Sequence, residues 1–579
     1  VFNIDLLKKR QTAYPATAAN NTPLFFEENI NSNAILVCRA RMFWAMLGFL
    51  LLYLVIIWRV FDLCLVNGVQ IHAPDEERDE PTIQIEVPLV RADITDRNGA
   101  VIATSLPTVN LYANPKHVRD PQDVAEKLSY LFPEISYETL LAKLTRKKTS
   151  FSMIKYNLSP AQQAAVNNLG IPALEFQNSE KRVYPHQNLF SHVIGYTNID
   201  NLGMAGVEKA LHKRLTESSK PLQLSIDMGV QDTIREELQA GIERFNAEGA
   251  AAILMDVHTG EVISLVSLPD FNPNVSIPLG ERPLFNFATQ GVYEAGSVFK
   301  TFNTALGLES GKVKPTDRFD ASHPVKIQGL TVSDYRGENR WLSVGEILIY
   351  SSNIGSALLV SRVGREYQRK FMVNMGFSEP LKDFEIAEKG RPLFLSEKRW
   401  RDDTMATVSF GYGISVTPLH LISAFSALVN GGIYNYPTIV KGNRTHQPRR
   451  VISENTSDNM RHLLRDVAVY GSAKRANVPG YQVIGKTGTA NKLVNGHYKD
   501  KVVMTSFLSA FPMNNPQYAL LVVMDAPKAT KETWGFVTSG WNAVPTGGRI
   551  IEAIAPQLNI QADFDIEKQR QNVKAAYIR

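Results

Sequence analysis

The chain has 579 residues, 44% of them hydrophobic and 21% charged, enough apolar side chain for several cores and unlike a disordered or collagen-like polymer. Its net charge of +5 comes from scattered lysines and arginines. There is no long basic block interleaved with aromatics, so no nucleic-acid partner is expected.

The first recognisable element is a membrane helix. Residues 42–58, MFWAMLGFLLLYLVIIW, carry no charge and lie between Arg39/Arg41 and Arg59. At about 1.5 Å per residue the run nearly crosses a hydrocarbon layer of about 30 Å, and Val60 and Phe61 extend it. Trp44, Tyr53 and Trp58 place rings near the edges, as interfacial anchors do. An amphipathic core helix would instead show polar positions at helical spacing. Lys8, Lys9, Arg10, Arg39 and Arg41 precede the span, and the acidic run DEERDE, residues 75–80, follows it. That asymmetry predicts a cytoplasmic tail over residues 1–41, a transmembrane signal-anchor helix over 42–63, and the large remainder outside. No A-x-A site follows the run, so retention rather than cleavage is expected. Cys38 and Cys64 flank the span on opposite sides, so no disulfide is expected; without clustered histidines, neither is a metal site.

Residues 64–221 read as a spacer module with no catalytic cluster. Residues 86–106 alternate around Asn98-Gly99, a hairpin signal. Asp120 before Pro121 reads as the cap and first residue of a helix. Composition shifts near residues 218–234, which places a boundary at 221/222. Beyond it, residues 250–271 read as two β-rich runs joined at Thr259-Gly260, again a hairpin. Helical segments dominate from Ser297 to about Asp466, and strands return in YQVIGKTGTA, KVVMTSFLSAFP and YALLVVMDAP, with Asn495-Gly496 turning between the first two. A last helical run, GGRIIEAIAPQL, closes a module of residues 222–560, before a tail of 561–579. Strands at both ends of a helical insertion predict an α+β fold, an antiparallel sheet covered by helices.

Three short stretches could carry chemistry. Gly296 opens a helix in which Ser297 and Lys300 lie three apart on one face. A lysine amine in apolar surroundings can take the proton of a weakly nucleophilic serine. The first turn would also lend backbone N–H groups to an oxyanion. Alone, this S-x-x-K pattern equally fits an exposed helix pair, and Ser152 and Lys155 repeat its spelling. Ser351-Ser352-Asn353 follows a capping box, Ser343 and Glu346, and sits at a joint between helices, where it can present a hydroxyl and an amide to a cleft or simply cap a helix. Lys486, Thr487, Gly488 and Thr489 lie on a predicted strand whose glycines suit close approach of a ligand or backbone; an edge kept polar is the alternative.

Taken together, S-x-x-K, S-x-N and K-T-G occur in the order found in penicillin-recognising serine enzymes. In these motifs the chain resembles the penicillin-binding proteins. ITDRNG, RVYP, GMAGVE and GYGISVTPLHL are similar to class B members, and SFGYGISVTPL with GFVTSGWNAVPTGGRII to their division-specific branch. Ala295 stands where the family commonly has proline, and Ala92 where it commonly has glycine. The resemblance implies a penicillin-binding transpeptidase fold with an all-α subdomain, set on an elongated, β-rich pedestal of the dimerisation type. It implies a peptidoglycan D,D-transpeptidase of septal wall synthesis, inhibited covalently by β-lactams and needing no cofactor or metal. Ser297 would attack the penultimate D-Ala carbonyl, Lys300 would take its proton, and Ser351 would deliver a proton to the departing D-Ala. Asn353 would hold the donor peptide. Lys486, Thr487, Gly488 and Thr489 would bind its carboxylate, and the backbone N–H groups of Ser297 and Thr489 the oxyanion. Stem peptides as donor and amine acceptor, β-lactams, a membrane glycosyltransferase and other division-complex proteins are the implied partners, and the inner membrane at the septum the implied location. An elongation-specific member, a β-lactamase or penicillin sensor, and a non-catalytic division scaffold are the competing readings.

Ser457-Asp458-Asn459 spells a second S-x-N. Met460, Leu463, Leu464 and Val467 follow at helical spacing, so this triplet is assigned to capping a helix that begins just after Ser457.

Overall fold

The computed structural model describes residues 32–61, 90–146, 148–444, 446–494 and 497–564. Residues 1–31, Cys64 and hence any pairing of the two cysteines, the acidic run 75–80, the Asn495-Gly496 turn and the tail beyond 564 lie outside the described residues. The chain divides into two compact units, residues 1–86 and 87–579.

The described part of the first unit is the helix Ser32–Phe61. Its stretch Ala40–Arg59 has a mean hydropathy of 2.1, and none of its residues is buried. Apolar on all sides rather than striped, and about 30 Å long over 20 residues, it has the length and composition of a membrane-crossing helix.

In the second unit the 13-residue strand Val101–Ala113 is the backbone of the pedestal. It pairs antiparallel with Leu174–Val183, Ser152–Leu158 and Ile94–Thr95. The helices Pro121–Leu131, Tyr137–Leu144 and Pro160–Asn167 enclose a small core around Leu111, Leu128, Phe132 and Leu140. Asp120 caps the first of these helices through the N–H groups of Gln122 and Asp123, as its sequence predicts. Ser152 and Lys155 lie on a strand, not on a helix. Residues three apart on a strand face opposite sides, and Lys155 instead pairs with Glu134 and covers the Phe132 ring.

Arg182 from RVYP and Arg91 close on Glu208 from GMAGVE. Arg182 Nε and Arg91 Nε each donate to one carboxylate oxygen at 2.7 Å, and Glu208 is fully buried. Such a triad tolerates no missing partner, because a buried, uncompensated charge costs roughly 3–5 kcal/mol. Those sequence signatures are therefore two halves of one ionic joint.

Five antiparallel strands form the main sheet, in the order Ile484–Val494, His497–Phe511, Tyr518–Asp525, Gly249–Asp256 and Val262–Leu268. The hairpin predicted at Thr259-Gly260 and the late strands are all present. Helices Met228–Phe245 and Ala543–Ile554 pack together on one face. There Gly241 lies against Met524. Helix Pro418–Val429 covers the other face, its Ser426 hydroxyl 3.5 Å from the Met255 sulfur; it is buried along its whole length and mostly apolar, its Ser423 and Ser426 hydroxyls donating to the carbonyls of Leu419 and Ile422. The helices Phe299–Glu309 and Glu454–Tyr470 pack beside it.

The stretch expected to be mainly helical also contains short strands. Val325–Ile327 and Leu330–Val332 form a hairpin whose two turn residues, Gln328 and Gly329, both have positive φ. Three-residue strands are too short for alternation to show in sequence. The second S-x-N is also corrected. Helix Glu454–Tyr470 starts four residues earlier than expected and is capped by Ser453. Ser457 lies within it, fully buried, donating to the Leu428 carbonyl at 2.7 Å and accepting from Gly431 N–H at 3.0 Å. The polar first turn of this helix hid its start from an apolar-period reading.

Candidate active site

The S-x-x-K motif at Ser297 sits where three backbone segments converge. Gly296 has φ +53, and its N–H donates to the Gly411 carbonyl at 3.2 Å. A β-carbon on Gly296 would stand 2.5 Å from the Thr489 carbonyl oxygen, and one on Gly411 would stand 1.9 Å from the Gly296 oxygen. Only glycine allows both the left-handed backbone and that approach. Gly488 completes the contact from the strand: a β-carbon there would meet the Ser506 hydroxyl at 2.3 Å and the Ala295 carbonyl at 2.5 Å. Its role in the structure is thus to let the strand lie flush against the serine turn. Ser297 itself occupies the 3-10 turn Gly296–Val298 that leads into Phe299–Glu309, one turn before the regular helix.

Lys300 lies in the first turn of that helix, fully buried. Its Nζ is 2.9 Å from Ser297 Oγ, 2.7 Å from Asn353 Oδ1, 2.7 Å from the Ser351 carbonyl and 3.2 Å from Ser351 Oγ. The amide oxygen and the carbonyl can only accept. A neutral amine gives them its two hydrogens and keeps its lone pair for a hydroxyl proton. Burial, then the positive charge of Lys486, hold the Lys300 ammonium well below the usual lysine range, with Asp334 opposing. Lys486, also fully buried, reaches Ser351 Oγ at 3.1 Å, and burial pulls its pKa down to about 7. Ser351 is therefore held between two lysines whose charge is costly to keep.

Ser351 has φ +58, a strained backbone for a serine. The strain is held by the next turn. Ser352, and neither Ser351 nor Asn353, is the cap of helix Asn353–Val363. Asp334 fixes that cap, accepting from Ser352 Oγ at 2.7 Å, Asn353 N–H at 2.5 Å and Ile354 N–H at 3.0 Å. Sequence reasoning missed Asp334; its signal, an acidic residue suited to a helix N-terminus, lies 18 residues away in sequence from the cap it serves. The joint between helices and the capping box Ser343/Glu346 are as expected.

On the strand, Thr489 Oγ1 accepts from Ser539 N–H at 3.1 Å, leaving its own proton to donate. Thr487 Oγ1 is 2.7 Å from Ser472 Oγ. Serine, both lysines, the S-x-N turn and the strand hydroxyls thus belong to one locality, whereas Ser152/Lys155 and Ser457–Asn459 are tied into other parts of the fold. Ala92 and Ala295 are both buried, and the Ala295 carbonyl lies against Gly488. Among the described residues no group of three metal-ligating side chains occurs. Chemically, a hydroxyl paired with a buried amine, beside a second amine and hydroxyl donors, can form and resolve an acyl-serine.

Comparison with known proteins bears on the family and the fold. Residues 250–539 match the penicillin binding protein transpeptidase domain, and residues 86–224 the penicillin-binding protein dimerisation domain. The probable peptidoglycan D,D-transpeptidase FtsI of Caulobacter vibrioides is 36% identical over 491 residues, covering 82% of each chain. The peptidoglycan D,D-transpeptidase FtsI of Escherichia coli is 28% identical over 534 residues, 86% of this chain and 89% of that one. Among solved structures, a peptidoglycan synthetase from Bifidobacterium adolescentis superposes with a TM-score of 0.66 at 21% identity, covering 82% of this chain and 96% of its own. A penicillin binding protein 3 from Mycobacterium tuberculosis, solved with aztreonam, gives 0.64 at 23% identity, covering 82% and 98%. Both share the fold.

Proposed function

The chain belongs to the penicillin-binding protein transpeptidase family, as a class B peptidoglycan D,D-transpeptidase of the FtsI type, and from that premise we propose that Ser297 is its acylated nucleophile. The observation that carries the assignment is the 2.9 Å contact between Ser297 Oγ and the fully buried Lys300 Nζ. Lys300 takes the hydroxyl proton as Oγ attacks the penultimate D-Ala carbonyl of a stem peptide. Ser351, in reach of both lysines, returns a proton to the departing D-Ala. Asn353 holds Lys300 and the donor peptide. Lys486, Thr487 and Thr489 bind the donor carboxylate, with Gly488 keeping the strand close; the N–H groups of Ser297 and Thr489 face the oxyanion. An amine of a neighbouring stem peptide then attacks the acyl carbon; its C–N bond replaces the C–Oγ bond and the proton returns to Ser297.

β-Lactams acylate the same serine. The domain division is 1–41, 42–63, 64–221, 222–560 and 561–579, with the helix crossing the inner membrane once, N-terminus inside, and the catalytic part outside at the septum. A membrane glycosyltransferase and other division-complex proteins are its partners; the apolar helix among the described residues supports the membrane reading, and kinship with FtsI proteins the division role. The test is condensation of a D-alanyl thioester donor with an added amine by the full-length protein in detergent. Amide product is expected from the natural sequence and none from Ser297→Ala; product from Ser297→Ala overturns the assignment.

A further inference from the structure

A cavity of about 480 Å³ adjoins the catalytic residues at Asn353. Its lining includes Val332, Asn353, Phe410, Tyr412, Tyr498 and one carboxylate, Glu294. Asn353 is the link to the chemistry, since its Oδ1 is 2.7 Å from Lys300 Nζ. Glu294 lies three residues before Ser297. Its two oxygens are met by neutral donors, Gly413 N–H at 2.8 Å and the Tyr498 hydroxyl at 2.9 Å. Among the described residues no lysine, arginine or histidine forms an ion pair with it. An ionised carboxylate accepts about four hydrogen bonds, so about half of the capacity of Glu294 stays open. Tyr412 and Tyr498 stand edge-to-face beside it, 5.9 Å apart, and present ring surface in the same cleft. A carboxylate flanked by aromatic rings is chemistry suited to an ammonium group.

We propose that this cleft, with Glu294 at its centre, is the subsite that recognises the ammonium-bearing side chain of the stem peptide. The inference rests on the transpeptidase reading above and deepens it. Donor and acceptor are parts of one polymer, so a stem that supplies the attacking amine carries the same amine when it acts as donor. Geometry favours the donor. With its carboxylate at Lys486 and its reacting carbonyl at Thr489, an extended donor runs along the strand towards Asn491. Asn491 N–H donates to the Tyr412 hydroxyl at 3.3 Å, which brings the residues before the scissile bond to the cleft. Glu294 is then a specificity residue that fixes the donor's register, while Ser297 and Lys300 do the bond making.

Two D-alanyl thioester donors test this, identical except at the residue before the acyl group: lysine in one, norleucine in the other. The full-length protein is expected to favour the lysine donor in kcat/KM by about tenfold or more, the scale of one charge-assisted hydrogen bond. In Glu294→Gln, which keeps an acceptor for Gly413 N–H, the two donors should differ by less than about twofold. Because the readout is a ratio within one variant, partial loss of folded protein cancels. An unchanged ratio in Glu294→Gln overturns the proposal. If Glu294→Gln instead lowers the ratio of aminolysis to hydrolysis with the norleucine donor and a lysine amine, the carboxylate serves the acceptor and the donor assignment is overturned. No acylation by either donor in the natural sequence contradicts the transpeptidase reading itself, a separate result.

Discussion

Residues 152–155 and 297–300 spell the same S-x-x-K, and the backbone makes them chemically unlike. On the strand Ser152–Leu158, serine and lysine face opposite sides, and the lysine is spent on Glu134 and the Phe132 ring. In the turn and helix around Ser297 the same spacing brings Nζ to 2.9 Å from Oγ, and burial removes the water that would keep the amine charged. Spacing in sequence thus becomes spacing in space only through secondary structure. The two S-x-N triplets teach the same lesson from the other side. Ser351–Asn353 is bent into a left-handed serine between two lysines, while Ser457 is sewn into a helix by the Leu428 carbonyl and Gly431 N–H.

The comparison breaks most sharply at the lysines. Lys300→Ala should slow acylation by a penicillin by about 10²- to 10⁴-fold, the usual contribution of a positioned base, in a stopped-flow or gel-labelling assay with folding checked by circular dichroism. Next in size is Ser457→Ala. It leaves a buried N–H and a carbonyl without partners and should lower unfolding stability by about 1–3 kcal/mol in thermal or denaturant melts, with the penicillin acylation rate of the folded protein retained.

A smaller effect is a shift in pH dependence. In the proposed mechanism neutral Lys300 takes the proton, so acylation is expected to rise with pH through the Lys300 pKa, and burial places that limb below the ordinary lysine range. Asp334 favours the charged amine and Lys486 disfavours it. Asp334→Asn removes the negative charge and should move the limb to lower pH by up to about one unit, while the amide oxygen still accepts from the cap. A shift to higher pH would contradict the charge assignment. Smallest is Ser152→Ala, for which the acylation rate should stay within about twofold; a loss beyond that, in folded protein, would erase the distinction between the two motifs.

Much of this was legible in the sequence because the physics is local. The late strands declare themselves by apolar runs, Asp120-Pro121 by cap chemistry, and the nucleophile helix by its period. The chain could not show Asp334 holding the cap of a helix that begins 19 residues later, since that contact exists only after the hairpin Val325–Val332 folds back. Nor could it show that Arg91, Arg182 and Glu208 meet, although RVYP and GMAGVE had drawn attention by resemblance. Gly488 illustrates the same limit: as a strand glycine it promised a close approach, and the atoms it approaches are the Ala295 carbonyl and the Ser506 hydroxyl.

The central claim, that Ser297 is the activated nucleophile, is tested most directly by peptide mapping after reaction with a penicillin. The full-length protein is incubated with one equivalent, digested and analysed by mass spectrometry. The account predicts a single penicilloyl adduct on the peptide containing Ser297, absent in Ser297→Ala. An adduct on the Ser152 or Ser457 peptide, or one that survives Ser297→Ala, would contradict it.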